Sequence, residues 1–370
     1  MDSVWERYHP PIEPPAPLPA PRRPRRWRLI IAVGAAGVVV VAAALVVVLG
    51  VLRPGGGGAA AALSDPNSGS TFGGVTGGVT SDAFSPDGTT IAAGDADGYV
   101  YLWSAATHQL TATLSASPGT GNVVSVAISP DGRTLAAGDS DGDVYLWNLA
   151  THRLTATLAA SPGTGNVASV TFSPNGQTLA AGDFNGNVYL YNAATHQLTA
   201  TLTAAVSLQV SDIVFSPDGK LIADADGGGD VHVWSTATDR LITTLGGQPG
   251  GGLSAVAFSP DGQTVAFADG FGGGVIELWA VSPARMVATI TPPGLEAVSS
   301  LAFSPDGKTL ATGDDDGQTY LWSVDSSMSS PTATLTDPAS KGVNWVTFSP
   351  NGATLATADS DDTTYLWNMP

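Results

Sequence analysis

From residue 79 onward apolar positions alternate with polar ones in short runs, and Pro-Asp-Gly, Pro-Asn-Gly or Asp-Gly turns separate the runs. Residues 123–158 show the plan. VVSVAI is followed by a Pro-Asp-Gly turn, TLAAGD, an Asp-Gly turn, DVYLWN, the polar stretch LATH and LTATL. A period of two between turn formers predicts strands rather than helices, and four runs joined by short turns predict an antiparallel meander.

The unit repeats. FSPDG or a close variant stands at 84–88, 128–132, 172–176, 215–219, 258–262, 303–307 and 348–352, at spacings of 44, 44, 43, 43, 45 and 45. A second string accompanies it (YVYLWS, DVYLWN, NVYLYN, DVHVWS, VIELWA, QTYLWS, TTYLWN), starting at Tyr99, Asp143, Asn187, Asp230, Val275, Gln318 and Thr363. A small sheet apolar on both faces cannot stand alone, so units of this length with four strands pack face to face around an axis. The expected fold is all-β, a seven-bladed β-propeller of four-stranded antiparallel blades. The last unit stops at Pro370, after its third strand, while residues 60–66 (AAALSDP) align with 332–338 (TATLTDP) and put Leu63 on Leu335. Residues 60–64 are therefore expected to pair with 363–368, close blade seven and cover its edge.

These strings resemble the WD40 repeat over residues 59–370. The family's Gly-His before the first strand is missing, and the Asp after Trp is replaced by Ser104, Asn148, Asn192, Ser235, Ala280, Ser323 or Asn368. Asp95, Asp139, Asp183 and Asp314 stand where the family usually has Ser. The resemblance implies a rigid binding platform without chemistry of its own, usually for proteins. The departures imply that the blades are held by contacts other than the family's His-to-Asp network.

Residues 29–52 form a run of 24 without a charge. As a helix at ~1.5 Å per residue it reaches ~36 Å, more than a ~30 Å hydrocarbon core. Arg22, Arg23, Arg25, Arg26 and Arg28 precede it and only Arg53 follows, which orients the amino terminus to the cytoplasm and the rest outside. A cleaved secretory signal is the rival, but a signal's apolar core is ~7–15 residues long. Eight Pro in residues 10–24 favour polyproline II, as a spacer or as a ligand for an aromatic groove. The expected organisation is a cytoplasmic, disordered Pro/Arg-rich tail (1–28), a transmembrane helix (29–52), a linker (53–58) and the propeller (59–370).

With no Cys, disulfides, thiolate metal sites and cysteine nucleophiles are excluded. A net charge of -18 argues against nucleic acid as a partner. Residues 1–53 carry net +4, leaving -22 for the remainder. In an antiparallel meander the first-to-second and third-to-fourth turns share one face of the ring. That face takes Arg133, Arg153, Lys220, Arg240, Arg285 and Lys308 with seven acids; the other takes Lys341 and 19 acids, 16 of them assigned to second-to-third hairpins. A fourth strand starts on the first face, and residues 53–59 reach at most ~25 Å, so that face is expected toward the bilayer. The distal acidic face is expected to attract a protein or a cationic ligand.

His108, His152 and His196 occupy one turn position in three successive blades and read as turn residues; His232, where other blades have Tyr, reads as packing. Asp139, Asp141, Asp143, Asp314 and Asp316 are weak calcium candidates, because alternating Asp before Gly resembles half of a calcium loop. No bidentate Glu follows, and tight hairpins want Asp-Gly, so turn chemistry is expected, with no metal and no cofactor. Phe184 and Phe271, at hairpin tips, and Trp345, which replaces a first-strand Ser, are candidate partner anchors. The alternative is that Trp345 fills space between blades and that both Phe fold over their own hairpins. No nucleophile elbow, Glu pair or phosphate-cradling loop is present, so no catalytic residue is assigned. The sequence thus reads as a bacterial single-pass membrane protein with an extracellular, non-catalytic scaffold or ligand-binding module. The rivals are an enzyme with ionisable groups converging in the channel, and a cytoplasm-facing scaffold.

Overall fold

A computed structural model describes residues 59–64 (backbone), 78–115, 121–159, 165–204, 208–246, 251–270, 273–294, 296–324, 328–336 and 342–369. The expected tail, membrane helix and linker lie outside these residues. Among the described residues, no helix is long and apolar enough to cross a membrane.

Seven four-stranded antiparallel sheets make the blades. Blade one consists of Val79–Phe84, Thr90–Asp95, Tyr99–Ser104 and Leu110–Ser115, and blades two to six repeat this order along the chain. Blade seven takes Val343–Phe348, Thr354–Asp359 and Thr363–Asn368 from the carboxyl end and its outer strand, Ala59–Ser64, from the amino end. Leu63 stands opposite Thr364 just as Leu335 stands opposite Thr319 in blade six, so the two fourth strands share one register.

Each core lies between blades. Ala136, Val144, Leu146 and Leu158 of blade two pack on Val167, Val170, Leu179, Ala181, Tyr189 and Tyr191 of blade three. The second strand of a blade meets the first valine of the next so closely that a Cβ at Gly138 would lie 2.5 Å from Val167 Cγ1; Gly94, Gly182 and Gly313 face the same contact. The backbone at each Pro-Asp/Asn-Gly turn is left-handed at its Gly, with φ near 70°, which is why that position is Gly in every blade. Within these turns Ser85, Ser129, Ser259 and Ser304 donate to Asp87, Asp131, Asp261 and Asp306. Those bonds, with backbone N–H donors, hold the four carboxyls below the usual range.

Hydrogen bonds along the inner strands stitch every seam. The hydroxyls of Ser81, Ser125, Ser169 and Ser300 accept from the backbone N–H of Val126, Val170, Ile213 and Val346 in the next blade, at 3.1–3.2 Å. Asp212 does the same for Val256 at 3.0 Å. Two blades lack an acceptor at this position, having Ala255 and Trp345, and keep only a bond from the preceding residue, which Thr80 and Ser299 also make in blades one and six. Ser254 donates to the Val298 carbonyl, and Asn344 donates to Val79 O at 2.7 Å. These links stand in for the missing family network: each joins residues 43–46 apart, or the two ends of the ring.

Candidate functional site

The inner strands of all seven blades enclose a channel of about 390 Å³. Its lining is mostly Val, Ala, Ile, Leu and Phe, into which blades one, four and seven set Asp82, Asp212 and Trp345. Burial, offset by N–H and Ser169 donors, raises the Asp212 carboxyl to about 6. Its Oδ1 accepts from Ser169 and Ile213 N, its Oδ2 from Val256 N, so it spans blades three to five. Asp82 is the exception among inner-strand residues. Where other blades have Val126, Val170, Ile213, Val256, Leu301 or Val346, it buries a carboxylate against blade seven. Thr364 donates to its Oδ1 at 3.2 Å, while Oδ2 has no partner. Burial pushes this carboxyl up to about 7. The two acids belong to blades separated by two others on the shorter way round, and each is engaged with a seam rather than with the other.

Trp345 is half-buried against Val79, Ala93 and Ala358 where blade seven meets blade one. It packs into this seam and also lines the channel. Phe184 is 40% exposed at its hairpin tip. Phe271 lies outside the described residues.

The second-to-third hairpins explain the aspartates. Asp139, buried at the end of its strand, turns Oδ1 onto the N–H groups of Asp141 and Asp143 at 3.0 and 2.8 Å. Asp95, Asp183, Asp226 and Asp314 cap their own hairpins in the same way. In blade three the second oxygen, Asp183 Oδ2, also accepts from Tyr189 Oη at 3.0 Å. Asp in place of Ser thus satisfies the hairpin backbone and ties it to the third strand. Among the described residues no three His, Asp or Glu side chains are grouped to hold a metal. Millimolar calcium should therefore leave the melting temperature unchanged within about one degree, whereas Asp183→Ala should lower stability by about 1–3 kcal/mol through the orphaned N–H groups. Calorimetry of both proteins tests this.

The distal charge count needs a correction. Asp224 is not in a hairpin but in mid-strand, and the strand-end acids Asp95, Asp139, Asp183, Asp226, Asp269, Asp314 and Asp359 are buried. With Asp362, also buried, nine of the 16 acids assigned to these hairpins are therefore not presented to a partner. Those left at the surface include Asp97, Asp141, Asp315 and Asp316, which are exposed, and the half-buried Asp143, Asp230 and Asp361.

His232 also does more than pack. Its Nδ1 lies 3.1 Å from Asp224 Oδ2, and Trp234 Nε1 donates to Asp224 Oδ1. Burial lowers the imidazole's affinity for a proton, but the bond and charge of Asp224, with Asp226 and Asp230, outweigh it and raise the pKa. The sequence signal is the joint departure, Asp224 and His232 together where five other blades pair Ala or Thr with Tyr and blade five pairs Phe267 with Glu277. Trp322 and Trp367 make the equivalent bond to Thr312 and Thr357, each at 3.1 Å.

The family model WD40 (WD domain, G-beta repeat) matches residues 67–104, 108–148, 153–192, 196–235, 286–323 and 329–368. Together these cover more than half of the chain, which belongs to the WD40 family. Residues 236–285 carry no match, yet they fold into the outer strand of blade four and most of blade five. No curated protein matches the chain. WD40 propellers are in general non-catalytic platforms that bind proteins.

Proposed function

We propose that this chain is a single-pass, amino-terminus-in bacterial membrane protein whose propeller stands outside the cell and binds a cationic protein or ligand on its distal, acidic face. One observation carries the reading. The distal hairpins present Asp97, Asp141, Asp315 and Asp316 to solvent, while Arg133, Arg153, Lys220, Arg240, Arg285 and Lys308 all lie at turns of the opposite face. Phe184 offers an apolar anchor among the distal groups. The channel supports binding rather than catalysis, because Asp82 and Asp212 are separated by two blades and each is bonded at its own seam instead of converging with the other.

A lysine-rich peptide should bind residues 54–370 with an association rate that falls steeply as salt rises. Asp315→Asn with Asp316→Asn should slow association about 2–5-fold without shifting the melting temperature. A rate indifferent to salt and to these substitutions overturns the acidic-face reading. Placement has its own test, since the chain has no Cys. Ala96→Cys should react with a membrane-impermeant maleimide on intact cells, and labelling only after lysis would reverse the topology.

A further inference from the structure

The outer strands carry a surface that the distal face does not explain. In blades one to five a β-bulge interrupts the pairing of third and fourth strands, and the bulged residues are Thr111, Thr155, Thr199, Ile242 and Val287. A bulge re-aims the side chain it carries. The three threonines fold back and donate to the carbonyls of Leu102, Leu146 and Leu190 at 2.8–2.9 Å, and Thr332 of blade six does so to Leu321. Ile242 and Val287 cannot. They forgo that bond and stand 55% and 51% exposed, beside Leu241 at 42% and Met286 at 45%.

Ile242 and Val287 thus protrude where four other blades use a hydrogen-bonding threonine; Leu241 and Met286 beside them stand where Leu110, Leu154 and Leu198 are likewise exposed, so blades four and five widen an apolar row that other outer strands begin. A local departure of this kind without structural gain marks a functional surface. Arg240 and Arg285 stand at the same ends of these strands, both exposed, and neither forms an ion pair among the described residues. Asp239, in the turn before Arg240, and Asp261 and Asp306, which line a pocket together with Val287, carry the opposing charge.

The placement matters as much as the chemistry. All fourth strands start on one face of the ring, and Ala59–Ser64 is the fourth strand of blade seven, so the chain enters the propeller on that face. Blade four lies across the ring from blade seven, and blade five stands one blade removed from it. A tether at blade seven alone would let the propeller tilt; an apolar contact that reaches the far side, with arginines beside it, would hold it level.

We propose that Arg240, Leu241, Ile242, Arg285, Met286 and Val287 form a foot that rests in the headgroup region of an anionic bilayer and keeps the acidic face turned away from it. This rests on the membrane anchor proposed above. Aliphatic side chains beside arginines suit the apolar-to-polar boundary of a membrane carrying negative lipid.

The test uses the full chain in nanodiscs of phosphatidylcholine with phosphatidylglycerol, containing a lipid spin-labelled near the headgroup. A fluorophore is attached at Val287→Cys or, as a distal control, at Ala96→Cys; Ile242→Cys replaces the former if its melting temperature is altered. The probe at 287 should be quenched ~2-fold or more relative to that at 96, and Arg240→Ala with Arg285→Ala should reduce the difference. Equal quenching at both positions in loaded discs overturns the foot and leaves the anchor standing. A chain that does not enter the discs overturns the anchor and the foot together. Shielding of the 287 probe only when two chains share a disc assigns the patch to a second copy and overturns the lipid contact.

Discussion

A chain beginning at Asn67 is expected to melt at least ~10 °C below one beginning at Gly55, and to aggregate on heating. The difference is the outer strand of blade seven. Ala59–Ser64 pairs with Thr363–Asn368 through Ala59↔Trp367, Ala61↔Leu366, Ala62↔Tyr365, Leu63↔Thr364 and Ser64↔Thr363. Removing it leaves the third strand with an unpaired row of N–H and C=O groups. At about 0.5–1.5 kcal/mol net per backbone hydrogen bond the ladder alone is worth several kcal/mol. The loss falls in the blade that closes the ring, the one sheet whose strands come from opposite ends of the chain. Differential scanning calorimetry of both proteins decides it, and equal melting temperatures would remove any closing role for residues 59–64.

Replacing Asp82 by Val should have a large effect of the opposite sign. Asp82 is 2% exposed with one oxygen unpartnered, at a position that is Val, Ile or Leu in the other six blades. Its carboxyl is raised from 3.8 to about 7 by burial, so between those pH values the folded protein holds a proton that the unfolded chain has lost. The penalty from this residue therefore grows as pH rises from about 4 to about 7 and is constant above. At about 1.4 kcal/mol per pH unit it amounts to roughly 4 kcal/mol at pH 8. Asp82→Val should recover most of this at pH 8 and much less at pH 4, and Thr364→Val added to it should restore the apolar pair of the other blades. Thr319, the equivalent of Thr364 in blade six, already keeps its buried hydroxyl unpartnered, so a Thr here needs no acceptor to fold. Melting of the variants at pH 4 and pH 8 gives the answer; a variant less stable at pH 8 would mean that Asp82 supports the seam.

The difference between what could and could not be read in advance shows in particular residues. FSPDG and FSPNG could be read because everything they do is local: Ser85 bonds to Asp87 two residues on, and Gly88 supplies the left-handed backbone of the turn. The place of Ala59–Ser64 was legible for a related reason, since its register repeats that of Ala333–Thr336 and the missing strand was counted rather than guessed. The bonds of Asp139 and its counterparts to their own hairpins are local and follow from Asp-Gly spacing, whereas their burial is set by the neighbouring strands. Asp224, assigned to a hairpin by its neighbours, proved to be a mid-strand partner of His232.

The sequence by itself determined the strands, their number, the turns and the closure of the ring, because a period of two and a repeat of 43–45 residues are written into consecutive positions. Only the tertiary structure decided which acids face water and which face a neighbouring blade, how Asp82 meets Thr364 across 282 residues, and that bulges turn Ile242 and Val287 outward. The reason is physical: a turn is satisfied by its own residues, whereas the environment of a side chain on a blade's face is set by another blade, at least forty residues away along the chain.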